Sequence, residues 1–463
     1  MSNSMQHKQK ELFGHPVGLY VLFFTEMWER FSYYGMRAIL VLYLVAETVG
    51  DNAGLGWSNA EALALYGWYT MLVYVASIPG GWIADKFLGQ KKSVLYGGIL
   101  LVAGHSILAV EEMWAFYSGL GLIIAGVGML KPNISTMVGG LYKQGDIRRD
   151  KGFTIFYIGI NIGAFLSSLI VGYVGEVYGW HYGFGLAGIG MALGLIQYLA
   201  GQKHLRYVGN YLGKSKNEEE KAAMKRPLTK VEKDRIIVLF ISFLLVIVFW
   251  GAFEQAGGLM NIYAKENTNR VLLGWEIPAS WFQSLNAMFI IFLGTTVAAY
   301  WARRKLKGKI STSLFKMIIG LIIMGTGFFF MSAASAQFES TGASAMYWLV
   351  LAYLFHTVGE LCISPVALSY ITKLAPLKYA SIMMGVYFAM TGFGNKLAGL
   401  LGESASNFGE FTVFTGIAVF CVIFGILVLM FRKKLEHLTH GAEDNEREMH
   451  DDETEGFELA DHE

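Results

Sequence analysis

Four ionisable side chains, Glu26, Glu29, Arg30 and Arg37, fall inside one long apolar stretch near the start of the chain. Charges inside a membrane-length helix cost about 2.5 kcal/mol or more at the centre, so they face cavities and mark ion or substrate paths. At about 100° per residue, Glu26, Arg30, Tyr33 and Arg37 share one helical face within about 60°. Glu29 and Tyr34 flank that face, and Met27, Trp28, Phe31 and Ser32 point elsewhere. Two carboxylates and two guanidiniums nearly cancel, which permits burial. A carboxylate beside an arginine stays ionised. If the arginine moves to another partner, the carboxylate is left free to take a proton. The competing reading is a static Glu26–Arg30 salt bridge at i,i+4 spacing.

Other polar groups lie at comparable depth. Lys131, followed by Pro132 and Asn133, has a long apolar run before it and a further turn or two after it, which makes snorkelling to the surface a weak explanation. Such a lysine needs a carboxylate partner or an anionic ligand. Glu254 comes four residues after Trp250, and Glu360 four residues before Ser364 and Pro365. Asn161 and Asn286 are neutral hydrogen-bonding groups; each alone reads as interhelical glue. Together the set suits a zwitterion, with cations for a carboxylate, carboxylates for an ammonium and amides for a peptide group. Tyr33, Tyr34, Tyr74, Trp250, Trp281 and Tyr387 supply aromatic walls beside these charges. Lys396 reads as a snorkelling lysine, His105 as a packed, hydrogen-bonded histidine, and Cys362 and Cys421 as small buried thiols.

The elements that must position these groups are membrane helices. The chain has 463 residues, 54% hydrophobic and only 16% charged, where a soluble protein carries about a quarter charged residues. Twelve apolar stretches long enough to span a bilayer run roughly over 16–46, 60–85, 93–110, 114–139, 152–175, 182–200, 236–263, 279–302, 312–333, 345–371, 380–401 and 411–431. Basic residues gather in alternate loops, at Lys86, Lys91 and Lys92, at Lys143, Arg148, Arg149 and Lys151, and at Arg303 to Lys309. Arg432 to Lys434 follow the last stretch. The positive-inside rule therefore puts both termini in the cytoplasm. Residues 202–235 are rich in Lys and Glu and read as a cytoplasmic linker, dividing a six-helix bundle at 1–201 from a second at 236–433. Residues 434–463 read as an acidic, disordered cytoplasmic tail. Six helices, a charged linker and six helices suggest two repeats around a central cavity. No metal cluster or nucleophile–base spacing supports an enzyme, and a net charge of +1 gives no footprint for nucleic acid.

The residues reached so far resemble a known family. Glu26-Met27-Trp28-Glu29-Arg30-Phe31-Ser32-Tyr33-Tyr34-Gly35 is similar to the ExxERFxYYG motif of proton-dependent oligopeptide transporters, within the major facilitator superfamily. Gly80 to Lys86 resembles the superfamily's signature between its second and third helices. Phe156 to Gly163, Phe249 to Gln255, and Gly359 to Pro365 are similar to the family's motifs on helices 5, 7 and 10. The resemblance implies an all-α major facilitator fold of twelve helices in two bundles, with a peptide cavity between them. By position, Arg30, Arg37 and Lys131 would face the peptide carboxylate. Glu360, Asn161 and Asn286, with Ser364 on the same face as Glu360, would hold the amino end and backbone. Tyr33, Tyr34, Tyr74, Trp250 and Tyr387 would form side-chain pockets. Glu26, Glu29 and Glu254, acting with Arg30, would couple protons, and an Arg37–Glu254 bridge would close the outer gate.

Two departures stand out. Prokaryotic members commonly carry an extra helix pair between helices 6 and 7, and 202–235 is too short and charged for one. The second stretch also lacks the proton-linked His of animal members, so coupling here would rest on carboxylates. The expectation is a proton-driven importer of di- and tripeptides in the cell inner membrane, a functional monomer needing no cofactor beyond the proton. Two rival readings compete with it. A nitrate carrier would have no use for Glu360 as an ammonium partner. A peptide-binding sensor would bind without accumulation.

Overall fold

The computed structural model describes residues 10–142, 146, 148–210, 227–376 and 380–442. Twelve long helices account for most of them: α1 Val17–Val45, α2 Asn59–Val75, α3 Gln90–Leu108, α4 Met113–Gly140, α5 Arg148–Val177, α6 Trp180–Gly201, α7 Lys230–Phe253, α8 Ser284–Leu306, α9 Ser313–Thr341, α10 Met346–Leu374, α11 Ala380–Phe408 and α12 Glu410–His437. Among the described residues, nine segments are long and apolar enough on their own to cross a membrane; α1, α3 and α11 are not among these. For α1 the reason is its four charged residues, all buried within the bundle.

Packing repeats between the halves. In the first, α1 packs on α5 and α6, and α3 on α4 and α6. In the second, α7 packs on α11, and α9 on α10 and α12. The halves meet along two seams, α2 against α11 and α5 against α8. Adding six to each helix number of the first seam's α2, and subtracting six from α11, gives the second seam. The two contacts are therefore equivalent in the repeat.

Local chemistry sets the boundaries. Ser58 and Glu61 form a capping box at the start of α2, and Thr229 and Glu232 another at the start of α7. Helix α7 thus begins at Lys230, inside the expected linker. Pro132 within α4 has no N–H to offer the Gly128 carbonyl. Gly80 packs directly on that carbonyl, leaving no room there for a Cβ.

Three expectations need correction. The seventh span is not continuous: α7 ends at Phe253, a 3-10 turn covers Glu254–Ala256, and a short helix resumes at Leu259–Glu266 after Gly257 and Gly258. A Cβ on Gly257 would collide with the Tyr66 hydroxyl, so this close approach requires glycine. The acidic tail starts later than 434. Helix α12 runs to His437 with Leu435 buried, and the Thr439 carbonyl accepts from Arg235 while His440 meets Asp234 at 2.7 Å. Apolar burial and these contacts with the start of α7 hold residues that composition alone reads as free. Third, His105 is fully buried, yet neither ring nitrogen has a hydrogen-bond partner among the described residues. The middle of the linker and residues 443–463 lie outside the described residues.

Candidate functional site

The four charges of α1 separate into two clusters. Arg30 Nε lies 2.8 Å from Glu26 Oε1 and 2.8 Å from Glu29 Oε2. All three side chains are almost fully buried, so this is a local triad on one helix, two carboxylates sharing one guanidinium. Arg37 behaves differently. Its Nη1 donates to both oxygens of Glu254, at 3.1 and 2.8 Å, across the interface from the first half to the second. Tyr66 of α2 donates to the same carboxylate at 2.9 Å. The 3-10 turn that ends α7 is what presents Glu254 at this point.

Tyr34 lies between the clusters. The Arg30 guanidinium is 5.8 Å and the Arg37 guanidinium 4.8 Å from its ring centre. An aromatic face attracts cations by its quadrupole, so one ring holds both arginines beside each other. Tyr33 is buried, 5.4 Å from the Tyr34 ring.

Lys131 has no ion pair among the described residues. Its ammonium lies 3.7 Å from the centre of the Tyr74 ring, with Glu29, Glu26 and Glu254 within electrostatic reach. Tyr74 in turn meets Trp250 of the other half, ring centres 6.4 Å apart. Glu360 accepts from Asn286 Nδ2 at 2.7 Å, and the same amide donates to Thr357 Oγ1 at 3.1 Å. Arg37 and Glu254 are within electrostatic reach of Glu360. Ser364 Oγ has no hydrogen-bond partner among the described residues. Asn161 donates to its own helix, to the Tyr157 carbonyl at 2.9 Å, and Tyr387 receives Thr391 in the same way.

The structure thus brings together Glu26, Glu29, Arg30, Tyr34, Arg37, Tyr74, Lys131, Trp250, Glu254, Asn286 and Glu360 in one connected set. Asn161 and Ser364 make no hydrogen bond or ion pair with the charged set among the described residues, although Tyr157 beside Asn161, and Tyr387, are within electrostatic reach of Glu360. Tyr66 and Thr357 are sequence-reading omissions: both sit in apolar runs where a hydroxyl gives no periodic signal. The Lys396 ammonium lies 4.6 Å from the Trp68 ring centre. Cys362 and Cys421 are buried and unpaired.

A group of polar bonds joins the halves at the end opposite the termini. Asn261 and Gln283 of the second half both donate to the Ala38 carbonyl, at 2.8 and 3.4 Å. Trp281 Nε1 donates to the Leu169 carbonyl at 2.9 Å. Glu176 of α5 receives Lys265 and two backbone N–H groups of the second half. The Arg37–Glu254 pair sits just beneath this ring of contacts. The arrangement can hold a zwitterion by both ends and can exchange arginine partners between carboxylates.

Known proteins share this sequence and shape. The sequence profile described as the POT family matches residues 91–216 and 210–415. The di-/tripeptide transporter of Lactococcus lactis subsp. cremoris is 35% identical over 489 residues, covering 93% of this chain and 98% of the relative. The peptide transporter YePEPT of Yersinia enterocolitica is 35% identical over 454 residues, covering 85% and 88%. Among solved structures, a peptide transporter POT in complex with sulfate superposes with a TM-score of 0.86 at 36% identity, covering 93% of this chain and 97% of that one. A POT family transporter in complex with a thioalcohol-conjugated peptide gives 0.85 at 30% identity, covering 92% and 98%.

Proposed function

The chain is a member of the POT family, and from that premise we propose that it is a proton-coupled symporter moving di- and tripeptides across the membrane by alternating access. The observation that carries this reading is the division of the buried charges between the halves. The Glu26–Glu29–Arg30 triad and Lys131 belong to one half, Glu254 and Glu360 to the other, and Arg37 joins them. Groups split in this way can change partners when the halves rock.

In this reading the peptide carboxylate goes to Lys131, whose ammonium is satisfied only by a ring face, with Arg30 and Arg37 nearby. The peptide ammonium goes to Glu360, oriented by Asn286. Asn161 and Ser364 serve the backbone, and Tyr33, Tyr34, Tyr74, Trp250 and Tyr387 surround the side chains. Such a site rejects molecules lacking one charged end, because the unmatched buried group is penalised. A proton on Glu254, or on Glu26 or Glu29, releases an arginine for the substrate carboxylate. No other cofactor is required, and one chain supplies every group, which supports a monomer.

The alternate basic loops support cytoplasmic termini and an inner-membrane location. The end sealed by Arg37–Glu254 then faces outward. One proton moving inward across 100 mV releases about 2.3 kcal/mol, enough for about forty-fold accumulation at 1.4 kcal/mol per decade.

The test is uptake of radiolabelled dialanine into proteoliposomes with and without an inward proton gradient. Gradient-dependent accumulation is expected, along with counterflow in its absence. Binding without accumulation would convert the reading to a sensor. Glu29→Gln is expected to abolish driven uptake while leaving counterflow; driven uptake surviving in both Glu26→Gln and Glu29→Gln would remove the helix-1 carboxylates from coupling.

A further inference from the structure

Glu176 is placed where a carboxylate is intrinsically disfavoured. It is the penultimate residue of α5, and the C-terminal end of a helix carries partial negative charge. Its side chain is nonetheless only 3% exposed. Burial of a carboxylate at the wrong end of a helix needs compensating donors. All those found for Glu176 come from the other half of the molecule.

The Ser280 backbone N–H donates to Oε1 at 2.8 Å, and the Ala279 N–H to Oε2 at 3.2 Å. The Lys265 ammonium lies 3.3 Å from Oε2 and is itself 41% exposed. Ala279 and Ser280 begin the 3-10 turn that leads into α8. Their N–H groups are unsatisfied at a helix start, so the carboxylate meets a donor pair already oriented for it.

The receiving side is equally built. Asn52 Nδ2 donates to the Gly175 carbonyl at 2.8 Å and the Glu176 carbonyl at 3.2 Å. Asn52 Oδ1 accepts the Trp180 N–H, and the Asn52 carbonyl accepts Trp180 Nε1, both at 3.1 Å. This cradle lies wholly within the first half and fixes the end of α5. One turn earlier, Gly172 faces Ser280 so closely that a Cβ would collide with Ser280 Oγ. The carboxylate is thus presented by a rigid mount across a seam with no slack.

We propose that Glu176 is the latch of the α5–α8 seam, a gating residue separate from the Arg37–Glu254 pair. Its carboxylate caps the Ala279 and Ser280 N–H groups while the end opposite the termini is closed. Opening that end breaks both backbone bonds and the Lys265 contact together. The inference rests on the alternating-access reading for its purpose, but the latch itself is a statement about seam opening and is read without transport. Most of the holding force comes from the backbone pair and little from the exposed lysine, since exposed ion pairs contribute little.

Ser280→Cys gives a direct reporter. Ser280 is fully buried and its Oγ has no partner among the described residues, so the exchange for sulfur removes no bond. Cys362 and Cys421 are buried and give a low background. The rate of labelling by a membrane-impermeant maleimide is measured on the purified full chain. Adding Glu176→Gln removes the charge and at least one backbone bond, and is expected to speed labelling about ten-fold, from a charged hydrogen bond of about 1.5 kcal/mol or more at 1.4 kcal/mol per decade. Glu176→Asp keeps the charge on a shorter arm and is expected to fall between; it carries the test if the glutamine variant does not fold. Lys265→Ala is expected to change the rate less than about two-fold. Unchanged labelling in the Glu176 variants, or a Lys265→Ala effect as large as theirs, overturns the latch. Faster labelling in a chain that shows no driven dialanine uptake leaves the latch standing and overturns the transport reading instead.

Discussion

The two seams between the halves are equivalent in the repeat and built on opposite principles. Along α2 and α11 the backbones touch. A Cβ on Gly67 would lie 2.9 Å from the Gly399 Cα, and one on Gly392 would lie 3.0 Å from the Met71 carbonyl. Asn395 donates to the Thr70 carbonyl at 3.4 Å, and the line of contact continues from Leu63 and Gly402 to Ile78 and Gly385. Small residues allow this approach, and without a hydrophobic drive between membrane helices, close packing is what holds them. The α5–α8 seam has little of this. Its contacts concentrate at the end opposite the termini, where Glu176, Leu169 and Gly172 meet Ala279 to Trp281. Beyond them α8 is largely bare, with only Ser284, Ala287, Ile290 and Trp301 buried along its length. An apolar groove of about 650 Å³, lined in part by Leu169, Trp281, Leu285 and Val350, runs beside this seam. A full-length apolar seam suits a rolling axis. A seam closed at one end by polar bonds suits a gate.

The largest effect is expected where the pin between the seams is pulled. Arg37→Ala leaves Glu254 buried with only Tyr66 as partner, a loss of about 3–5 kcal/mol for an unmatched buried charge. Thermal unfolding in detergent should show a marked fall in Tm, and driven uptake should be lost. Arg37→Ala combined with Glu254→Ala should recover much of the stability without recovering transport, since no lone charge remains. A stable, transporting single variant would mean the seams hold the closed end unaided.

Next comes the axis itself. Gly67→Val forces a branched side chain against the Gly399 backbone, and overpacking of that kind costs about 1–3 kcal/mol. Both driven uptake and counterflow should fall together, because every step of the cycle uses this contact. A variant that lost only driven uptake would show the α2–α11 seam to be part of the coupling machinery rather than a bearing surface.

The sequence was most informative where physics is unforgiving. Four charges in an apolar stretch could not be hidden, and their helical phase placed Glu26 with Arg30, but it put Arg37 on the same face and gave no sign that Arg37 stands apart with Glu254. Glu360 and Asn286 were each marked by polarity at depth, but nothing in the sequence paired them. Less visible were groups whose meaning depends on a partner far along the chain. Tyr66 looks like any aromatic of an apolar helix until Gly257 lets its hydroxyl pass. Lys131 called for an anion and instead rests on the Tyr74 ring, an attraction that leaves no mark in residue type. The break after Glu254 was missed because apolar residues continue past it, and only the Gly257-Gly258 pair signalled a stop. Glu176 carried a legible clue that went unread, an acid at a helix C-terminus.

Two smaller effects divide the gate end more finely. Trp281→Phe keeps the ring beside Trp275 and Tyr173 and removes only the indole N–H bonded to the Leu169 carbonyl. The expected loss is about 1 kcal/mol, seen as a modest rise in thiol labelling at position 280 with uptake retained. Asn59→Ala removes a second bond that crosses the halves to a carboxylate, from Asn59 Nδ2 to Glu266 at 3.2 Å. Here Glu266 is exposed and Asn59 only partly buried, so water replaces most of what is lost; a stability change of at most about 0.5 kcal/mol is expected in thermal unfolding and none in labelling. Glu176 and Glu266 stand at the same end and both bridge the halves, but only Glu176 is buried. If Asn59→Ala loosens the gate as much as Glu176→Gln does, then burial is not what gives a crossing carboxylate its grip, and the distinction drawn between latch and surface contact fails.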